Sequence, residues 1–245
     1  GMNQVDSNKI LKYIAMQTDL NIDLDQSAAI AKGRASGLIA AHAAYRLLES
    51  GQADIVLAGG CDTYKDLDVL GFLNAESRLK SETNLDSFTP GEGAGFLLLM
   101  TEEKAKREGC NILSRVHATA IGFEEGHLYS ETPYKGEGLS RTFQSLFDHS
   151  TAPTEKIKTI YSSMNGENYW AKEWGVSYIR FQDRIEDDSE IKHPADCYGD
   201  LGAASGPVMM GLAVTGMQKG YKKGPVLIYA SSDWGDRAAV ILDIK

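Results

Sequence analysis

The sequence predicts an α/β protein built from two similar halves, and two patterns carry that prediction. In the first, a short apolar run at residues 28–31 leads into a glycine-bounded turn at 33–37 and then into an amphipathic segment that ends at Gly51. Apolar residues recur in that segment at helical spacing, and the next apolar run, residues 55–58, is typical of a buried strand. Strand, turn, helix and strand together make one βαβ unit.

The second pattern repeats the first in the last third of the chain. Residues 202–206 read GAASG where residues 33–37 read GRASG, and the shift of 169 residues between them also carries Gly51 onto Gly220. With two further residues inserted, 226–229 corresponds to the second strand of the first unit. A helix, a stop glycine and a strand in one register indicate an internal duplication, whose two central helices we expect to pack side by side.

Composition excludes several classes of function. The chain has 245 residues, 42% apolar and 24% charged, with a net charge of −9 that disfavours nucleic acid as a partner. We expect no membrane span and no signal peptide, and three scattered cysteines indicate free thiols in the cytoplasm. Neither metal-ligand spacing nor a phosphate or dinucleotide loop is present, so the sequence predicts no cofactor and no metal.

The remaining patterns place the other elements along the chain. We predict an N-terminal half at 1–152 and a C-terminal half at 153–245 within one compact unit. Residues 62–90 read as polar and irregular, 165–175 as a turn with two tryptophans and 183–193 as an exposed charged connection. Helices are predicted at 7–17, 102–108 and 137–147, and strands at 96–100, 112–121 and 158–163.

The stretch from Arg34 to Gly60 resembles the β-ketoacyl-ACP synthases of the thiolase superfamily. Those enzymes carry a Cys-x-x-Gly elbow that opens a long helix, followed by a strand that reads like ADVxxAGG; here the strand reads ADIVLAGG at 53–60. The glycine run at 91–95 extends the resemblance. It implies a thiolase-like fold: two duplicated α/β halves in an αβαβα arrangement. Because only 33 residues precede Arg34, the N-terminal half is expected to be incomplete, in a naturally short or a truncated relative.

The same resemblance implies that the chemistry of condensation is lost. Arg34 stands at the position of the family's nucleophilic cysteine, and the two catalytic histidine positions fall on Asn165 and Gly199. A guanidinium stays protonated and cannot carry an acyl group as a thioester. We therefore predict a non-condensing protein of fatty acid or polyketide biosynthesis, similar to chain-length factors. Its expected partners are an acyl carrier protein and a catalytic ketosynthase, in a homo- or heterodimer.

Two further expectations concern the candidate site. An active acyltransferase with another nucleophile is the alternative, and Cys197 with His193 is the candidate pair, four residues apart. Trp234 lies where the family has a glycine-rich gating loop, and Glu173 lies eight positions after Asn165, at the family's acidic place. The predicted substrate-binding residues are Arg34, Ser36, Asn165, Glu173 and Trp234.

Overall fold

The computed structural model describes residues 7–18 and 20–244, of which Ser7 and Asn8 are described by their backbone alone. Residues up to Ala31 form one unit and those from Lys32 onward form a second. The first unit holds helix α1, Ser7–Thr18, which confirms the predicted helix. The predicted strand at 28–31 is wrong, because these residues have no strand conformation and pair with no neighbouring strand.

The second unit contains all other helices and strands that the structure describes. Its helices are α2, Ser36–Glu49; α3, Leu67–Ala75; α4, Glu102–Arg107; α5, Glu137–Phe147; α6, Asn168–Phe181; α7, Ala195–Tyr198; and α8, Ser205–Gln218. Its strands are β1, Ile55–Thr63; β2, Glu92–Met100; β3, Arg115–Phe123; β4, Ile157–Ser162; β5, Ile185–Lys192; β6, Val226–Ser231; and β7, Asp236–Asp243.

The predicted duplication is present in the backbone of this unit. A single 3₁₀ turn precedes each central helix, and α2 and α8 have the same length at the predicted spacing of 169 residues. Gly33 and Gly202 start these turns at φ +60° and +54°, a conformation that favours glycine. The two turns are therefore fixed by the same backbone requirement.

The two central helices pack side by side, as the sequence predicts. A Cβ on Gly37 would lie 2.3 Å from the Cδ of Pro207, and a Cβ on Gly206 would lie 2.7 Å from the Cγ of Leu38. These two glycines occupy equivalent places in the repeat. Each lets the backbone of its helix approach a side chain of the other.

Two sheets lie on opposite sides of this helix pair. Strands β1 and β2 form a two-stranded antiparallel sheet, and the other five strands form a mixed sheet in the order β3-β7-β6-β4-β5. In that sheet β4 is parallel to β5 and β6, whereas β7 is antiparallel to β3 and β6. Strand β3 precedes residue 152 yet joins the five-stranded sheet, so the two sheets are not separated at residue 152. The division of the chain into halves at 1–152 and 153–245 stays a prediction.

One face of the five-stranded sheet packs on the central helices and the other on α5 and α6. The first core includes Leu38, Met209, Val226, Ile228 and Val240, and the second includes Leu139, Phe143, Leu227, Tyr229 and Ile241. The layers of this unit are thus helices, the five-stranded sheet, the central helices and the two-stranded sheet. In the described part of the chain, no helix is long and apolar enough to cross a membrane.

The strand faces correct the register of the repeat by one residue. In β6, Val226 and Ile228 face the central helices, whereas Leu227 faces α5 and α6. In β1 the inward residue is the buried Ala58, and Leu57 is exposed on the opposite face. Successive strand residues alternate between faces, so the insertion is not two residues; with a single inserted residue, Leu57 corresponds to Leu227.

Two segments between these elements differ from their predictions. The predicted turn at 165–175 is the start of α6, whose buried residues Trp170, Glu173, Ser177 and Phe181 follow helical spacing. The predicted connection at 183–193 contains β5, an edge strand on which Asp187, Asp188 and Glu190 are exposed. Charged residues are tolerated on an edge strand because one of its sides is not paired.

Candidate functional site

Arg34 lies in the 3₁₀ turn at the mouth of α2, and its guanidinium is buried among oxygen acceptors. Its Nε donates to the carbonyl of Ser231 at 3.0 Å, its Nη1 to Asp200 Oδ2 at 2.7 Å and its Nη2 to Asp233 Oδ1 at 2.5 Å. Only 3% of Arg34 is exposed. The anionic partners that the sequence requires for a buried arginine are therefore two aspartates from the second half of the chain.

These aspartates keep the site charged and paired. Burial by itself would lower the pKa of Arg34, but Asp233 and Asp200 outweigh it and raise that pKa above its ordinary value. Burial would likewise raise the pKa of Asp233, yet Arg34 and Arg78 hold it below its usual value. Arg34 is thus a permanent cation with no lone pair for acyl transfer.

A second arginine completes the ion-pair network. Arg78 donates from Nη1 to the other oxygen of Asp233 at 2.8 Å and to the hydroxyl of Tyr129 at 2.6 Å. Its Nε and Nη2 bind the two oxygens of Glu167 at 2.6 and 2.9 Å, a bidentate pair. Asp233 therefore bridges two guanidinium groups.

Asn165 belongs to the same network, and Asp200 supplies the side chain next to Gly199. The Nδ2 of Asn165 donates to Asp200 Oδ2 at 2.8 Å and to Glu167 Oε2 at 3.2 Å. Gly199 adopts φ +81°, and a Cβ there would lie 2.7 Å from the carbonyl oxygen of Thr89. The structure thus brings Arg34 and Asn165 together through Asp200, a carboxylate.

Trp170 links this network to a second buried ion pair. The Arg34 guanidinium lies over the Trp170 ring, with its Cζ 4.3 Å from the ring centroid. The Cζ of Arg237 lies 5.6 Å from the same centroid. Arg237 Nε binds Glu173 Oε1 at 2.7 Å, and Glu173 Oε2 accepts from the Ser231 hydroxyl at 2.5 Å. Burial raises the pKa of Glu173, although Arg237 opposes the rise. Glu173 is thus placed in a salt bridge behind Trp170.

The helix mouth itself is closed by a serine. The backbone N–H of Ala35 donates to Ser232 Oγ at 2.9 Å, and the Ser232 hydroxyl donates to the carbonyl of Lys32. Ser36 Oγ accepts from the N–H of Lys32 at 2.8 Å. The Ala35 N–H is therefore already hydrogen-bonded within the protein, although it is the kind of donor that a ligand at a helix N-terminus would use.

The candidate pair Cys197 and His193 is not brought into contact. The thiol of Cys197 is exposed on α7, and His193 Nδ1 lies 2.8 Å from the hydroxyl of Ser162. The other cysteines, Cys61 and Cys110, are also exposed, on β1 and after α4. No thiol therefore lies at the mouth of α2. A cleft of about 220 Å³, counting its open mouth, borders Asp200.

Four residues of the network are not predicted by any pattern in the sequence: Arg78, Glu167, Asp200 and Asp233. Each lies in a loop or beside a helix start, where a charged residue ordinarily faces water. Arg78, Glu167 and Asp200 are buried and Asp233 is half-buried, because each is paired with a side chain from a distant part of the chain. The only available signal was that a buried cation at the mouth of a helix needs carboxylates.

The comparisons with known proteins agree on one family. Residues 27–105 match the family described as beta-ketoacyl synthase, N-terminal domain. The chain is 32% identical over 147 residues to the highly reducing polyketide synthase cla2 of Cladosporium cladosporioides, covering 57% of this chain and 6% of that protein. It is 28% identical over 167 residues to the 3-oxoacyl-[acyl-carrier-protein] synthase 2 of Mycobacterium tuberculosis, covering 59% and 40%. The chain thus spans less than half the length of these relatives.

Solved structures extend the likeness over the fold. A complex described as a type II PKS acyl-carrier protein with its ketosynthase bound to the hexaketide, AntDE:AntF, superposes with a TM-score of 0.82 at 17% identity, covering 96% of this chain and 66% of that one. The ishigamide ketosynthase/chain length factor superposes with a TM-score of 0.81 at 16% identity, covering 98% and 66%. Residues 27–105 are therefore similar to the beta-ketoacyl synthase N-terminal domain family, and the chain has the thiolase-like fold of these ketosynthase structures.

Proposed function

We propose that this chain is a non-condensing ketosynthase homologue of fatty acid or polyketide biosynthesis, which acts as a chain-length-factor-like or acyl-binding partner of a catalytic ketosynthase. One observation carries the proposal: the guanidinium at the helix mouth is held by Asp200 and Asp233, each within 2.7 Å. A group fixed by two carboxylates is part of the permanent structure. It does not swing aside to admit another nucleophile.

The neighbouring side chains also oppose condensation. Decarboxylation of a malonyl group places negative charge on an enolate, which positioned hydrogen-bond donors must stabilise. Here the Nδ2 group of Asn165 is engaged by Asp200 and Glu167, and Asp200 would repel the enolate. The site therefore stabilises a cation, whereas the reaction develops an anion.

The proposed partners follow from the relatives and from the family resemblance. Two structural neighbours are described as a ketosynthase complex with an acyl-carrier protein and as a ketosynthase/chain length factor. We extend that arrangement to this protein. Its working state is then a heterodimer with a catalytic ketosynthase, and an acyl carrier protein donates the acyl group. Three exposed free thiols favour the reducing cytoplasm as its location.

Intact-mass spectrometry after incubation with acetyl-CoA tests the absence of acyl transfer. We expect no adduct on the wild-type chain and none that depends on Cys197. A single acetyl adduct that maps to Cys197 and disappears in Cys197→Ser would contradict the proposal and support the alternative enzyme.

Native mass spectrometry tests the partnership. The chain is mixed with a catalytic ketosynthase and the acyl carrier protein from the same source. We expect a 1:1 complex of the chain with the ketosynthase. A chain that forms only homo-oligomers, while the ketosynthase condenses at full rate alone, would refute the partner role.

A further inference from the structure

The face of β1 and β2 that points away from the central helices is apolar and exposed. Its large side chains are Ile55 and Leu57 on β1 and Phe96 and Leu98 on β2, which are 43%, 41%, 45% and 60% exposed. Leu57 lies opposite Leu98 in the sheet, and Ile55 and Phe96 each lie two residues before them, on the same face. We refer to these four residues as the outer apolar face.

The inner face of the same two strands is apolar as well. Ala58 is buried there, and Leu97 packs against the core that surrounds the central helices. Strands that are apolar on both sides are typical of sheets with helices on both faces. Here α2 and α8 pack on the inner face, and in the described part of the chain no strand pairs with the free edge of β1 or of β2. The outer face therefore has the composition of a buried surface without its cover.

The internal duplication identifies what a complete sheet of this kind carries. Strands β6 and β7 are the counterparts of β1 and β2, because both pairs are antiparallel and follow the central helix of their half. A single inserted residue also places Asp62 in register with Ser232. Ser232 Oγ accepts from the N–H of Ala35 before α2, and Asp62 Oδ2 accepts from the N–H of Ala203 before α8, both at 2.9 Å. The strand end of each half thus caps the central helix of the other half.

In the second half, the face that corresponds to the outer apolar face is buried. Leu57 and Leu98 correspond to Leu227 and Ile241, which also lie opposite each other and are 0% exposed. Helices α5 and α6 cover these two residues, and strand β4 runs parallel to β6 along its other edge. Among the residues that the structure describes, the sheet of the first half has no strand in the place of β4.

Phe96 is placed where such a cover would meet the sheet. Gly59 lies opposite Phe96, and the corresponding pair in the second half is Tyr229 opposite Ala239, so each half places one aromatic ring beside one small residue. A Cβ on Gly59 would lie 2.3 Å from Cδ1 of Phe96, because the ring lies across the glycine. The Tyr229 ring packs against one aromatic ring of α5 and one of α6, each with its centroid 5.5 Å away. Phe96 therefore offers a helix the kind of surface that Tyr229 offers in the buried half.

From this equivalence we propose that the outer apolar face and the free edge of β1 bind a separate polypeptide that supplies a β-strand and an amphipathic helix. The strand is the counterpart of β4, so it runs parallel to β1 and pairs with its backbone. The helix is the counterpart of α5, and its apolar side covers Leu57, Phe96 and Leu98. This partner is additional to the catalytic ketosynthase, so the inference goes beyond the proposed function and does not depend on it.

A second copy of this chain fits this place poorly. Two strands of nine residues present a face of about 30 Å by about 10 Å, or about 300 Å², whereas stable interfaces bury about 800 Å² on each partner. A two-fold axis would also bring two copies of β1 together antiparallel, although the repeat requires a parallel neighbour. The net charge of −9 on each copy adds repulsion. A strand-donating polypeptide instead gains backbone hydrogen bonds along the free edge as well as apolar contacts.

Cys61 is a natural probe of this face, because it is exposed and lies on β1 two residues beyond Gly59. The exposed Cys110 and Cys197 lie outside β1 and β2 and serve as internal controls. The rate of alkylation by N-ethylmaleimide is measured for each thiol in a cell extract of the source and in the purified chain. Comparing each thiol with itself removes differences in reactivity, since burial raises the pKa of Cys61. We expect the extract to slow Cys61 by at least about tenfold and to leave the other two unchanged, because the partner excludes the reagent.

Photo-cross-linking identifies what covers the face. The purified chain with Phe96→p-azidophenylalanine is added to the extract and irradiated, and the cross-linked peptide is sequenced. We expect a peptide of another protein, in which an apolar strand segment adjoins an amphipathic helix. Leu98→Asp, on the face, should abolish both the cross-link and the protection of Cys61. The matched control is Ile121→Asp on β3, a strand residue that is 48% exposed, which should leave both unchanged.

Each outcome decides the proposal. Alkylation of Cys61 at the same rate in the extract and in the purified chain would overturn it, since the face is then uncovered. A cross-link to a second copy of this chain or to the catalytic ketosynthase would also overturn it, as would a cross-link that survives Leu98→Asp. The proposed function is tested separately by the complex with the ketosynthase, so either proposal can fail alone.

Discussion

Replacing Arg34 by methionine removes a buried cation from two aspartates and keeps most of the apolar stem. Breaking a buried ion pair by deleting one partner costs about 3–5 kcal/mol, because the remaining charge is left without compensation. Asp200 retains Asn165 and the Gly202 N–H as donors, and Asp233 retains Arg78. The loss should therefore lie near the lower limit, at about 3 kcal/mol of unfolding free energy.

Thermal and urea denaturation measure this loss. For a chain of this size, about 3 kcal/mol corresponds to a fall in Tm of about 6–12 °C. The control is Arg46→Met on α2, which removes an exposed ion pair with Glu49 and should cost at most about 1 kcal/mol. Adding Asp200→Asn to Arg34→Met should recover part of the loss, because the buried charge is then removed as well. Equal small losses for Arg34→Met and Arg46→Met would refute the buried network.

Three further predictions test the packing and the electrostatics. Gly37→Ala should destabilise the protein severely, because its Cβ would meet a proline of α8 at 2.3 Å, whereas Gly211→Ala, with nothing within 4 Å, should stabilise it by up to about 1 kcal/mol in thermal denaturation. Leu227→Ala should cost about 2–5 kcal/mol and the equivalent but exposed Leu57→Ala much less; equal urea midpoints for the two would contradict the corrected register. Burial lowers the folded-state pKa of His42, so the unfolded chain binds its proton first and stability falls as pH drops below about 6.5. His42→Gln should therefore lose less unfolding free energy than wild type between about pH 7.5 and pH 5, and parallel losses would rule this out.

Part of the candidate site could be predicted from the sequence. The position of Arg34 at the head of a helix follows from local patterns, and so does the need for an anionic partner. Asp200 and Asp233 could not be identified, because each lies more than 160 residues away and contacts Arg34 only across the fold. The predicted roles of Ser36, Glu173 and Trp234 in substrate binding stay predictions.

The sequence by itself determined the duplicated α/β plan, the two central helices and the absence of a thiol at the mouth of α2. These features depend on glycine positions, apolar spacing and residue identity, which are local properties of the chain. Only the tertiary structure decided which carboxylates neutralise Arg34 and which face of β1 points inward. Those features depend on contacts between distant segments, and a buried charge or a strand face is defined only when its neighbours are in place.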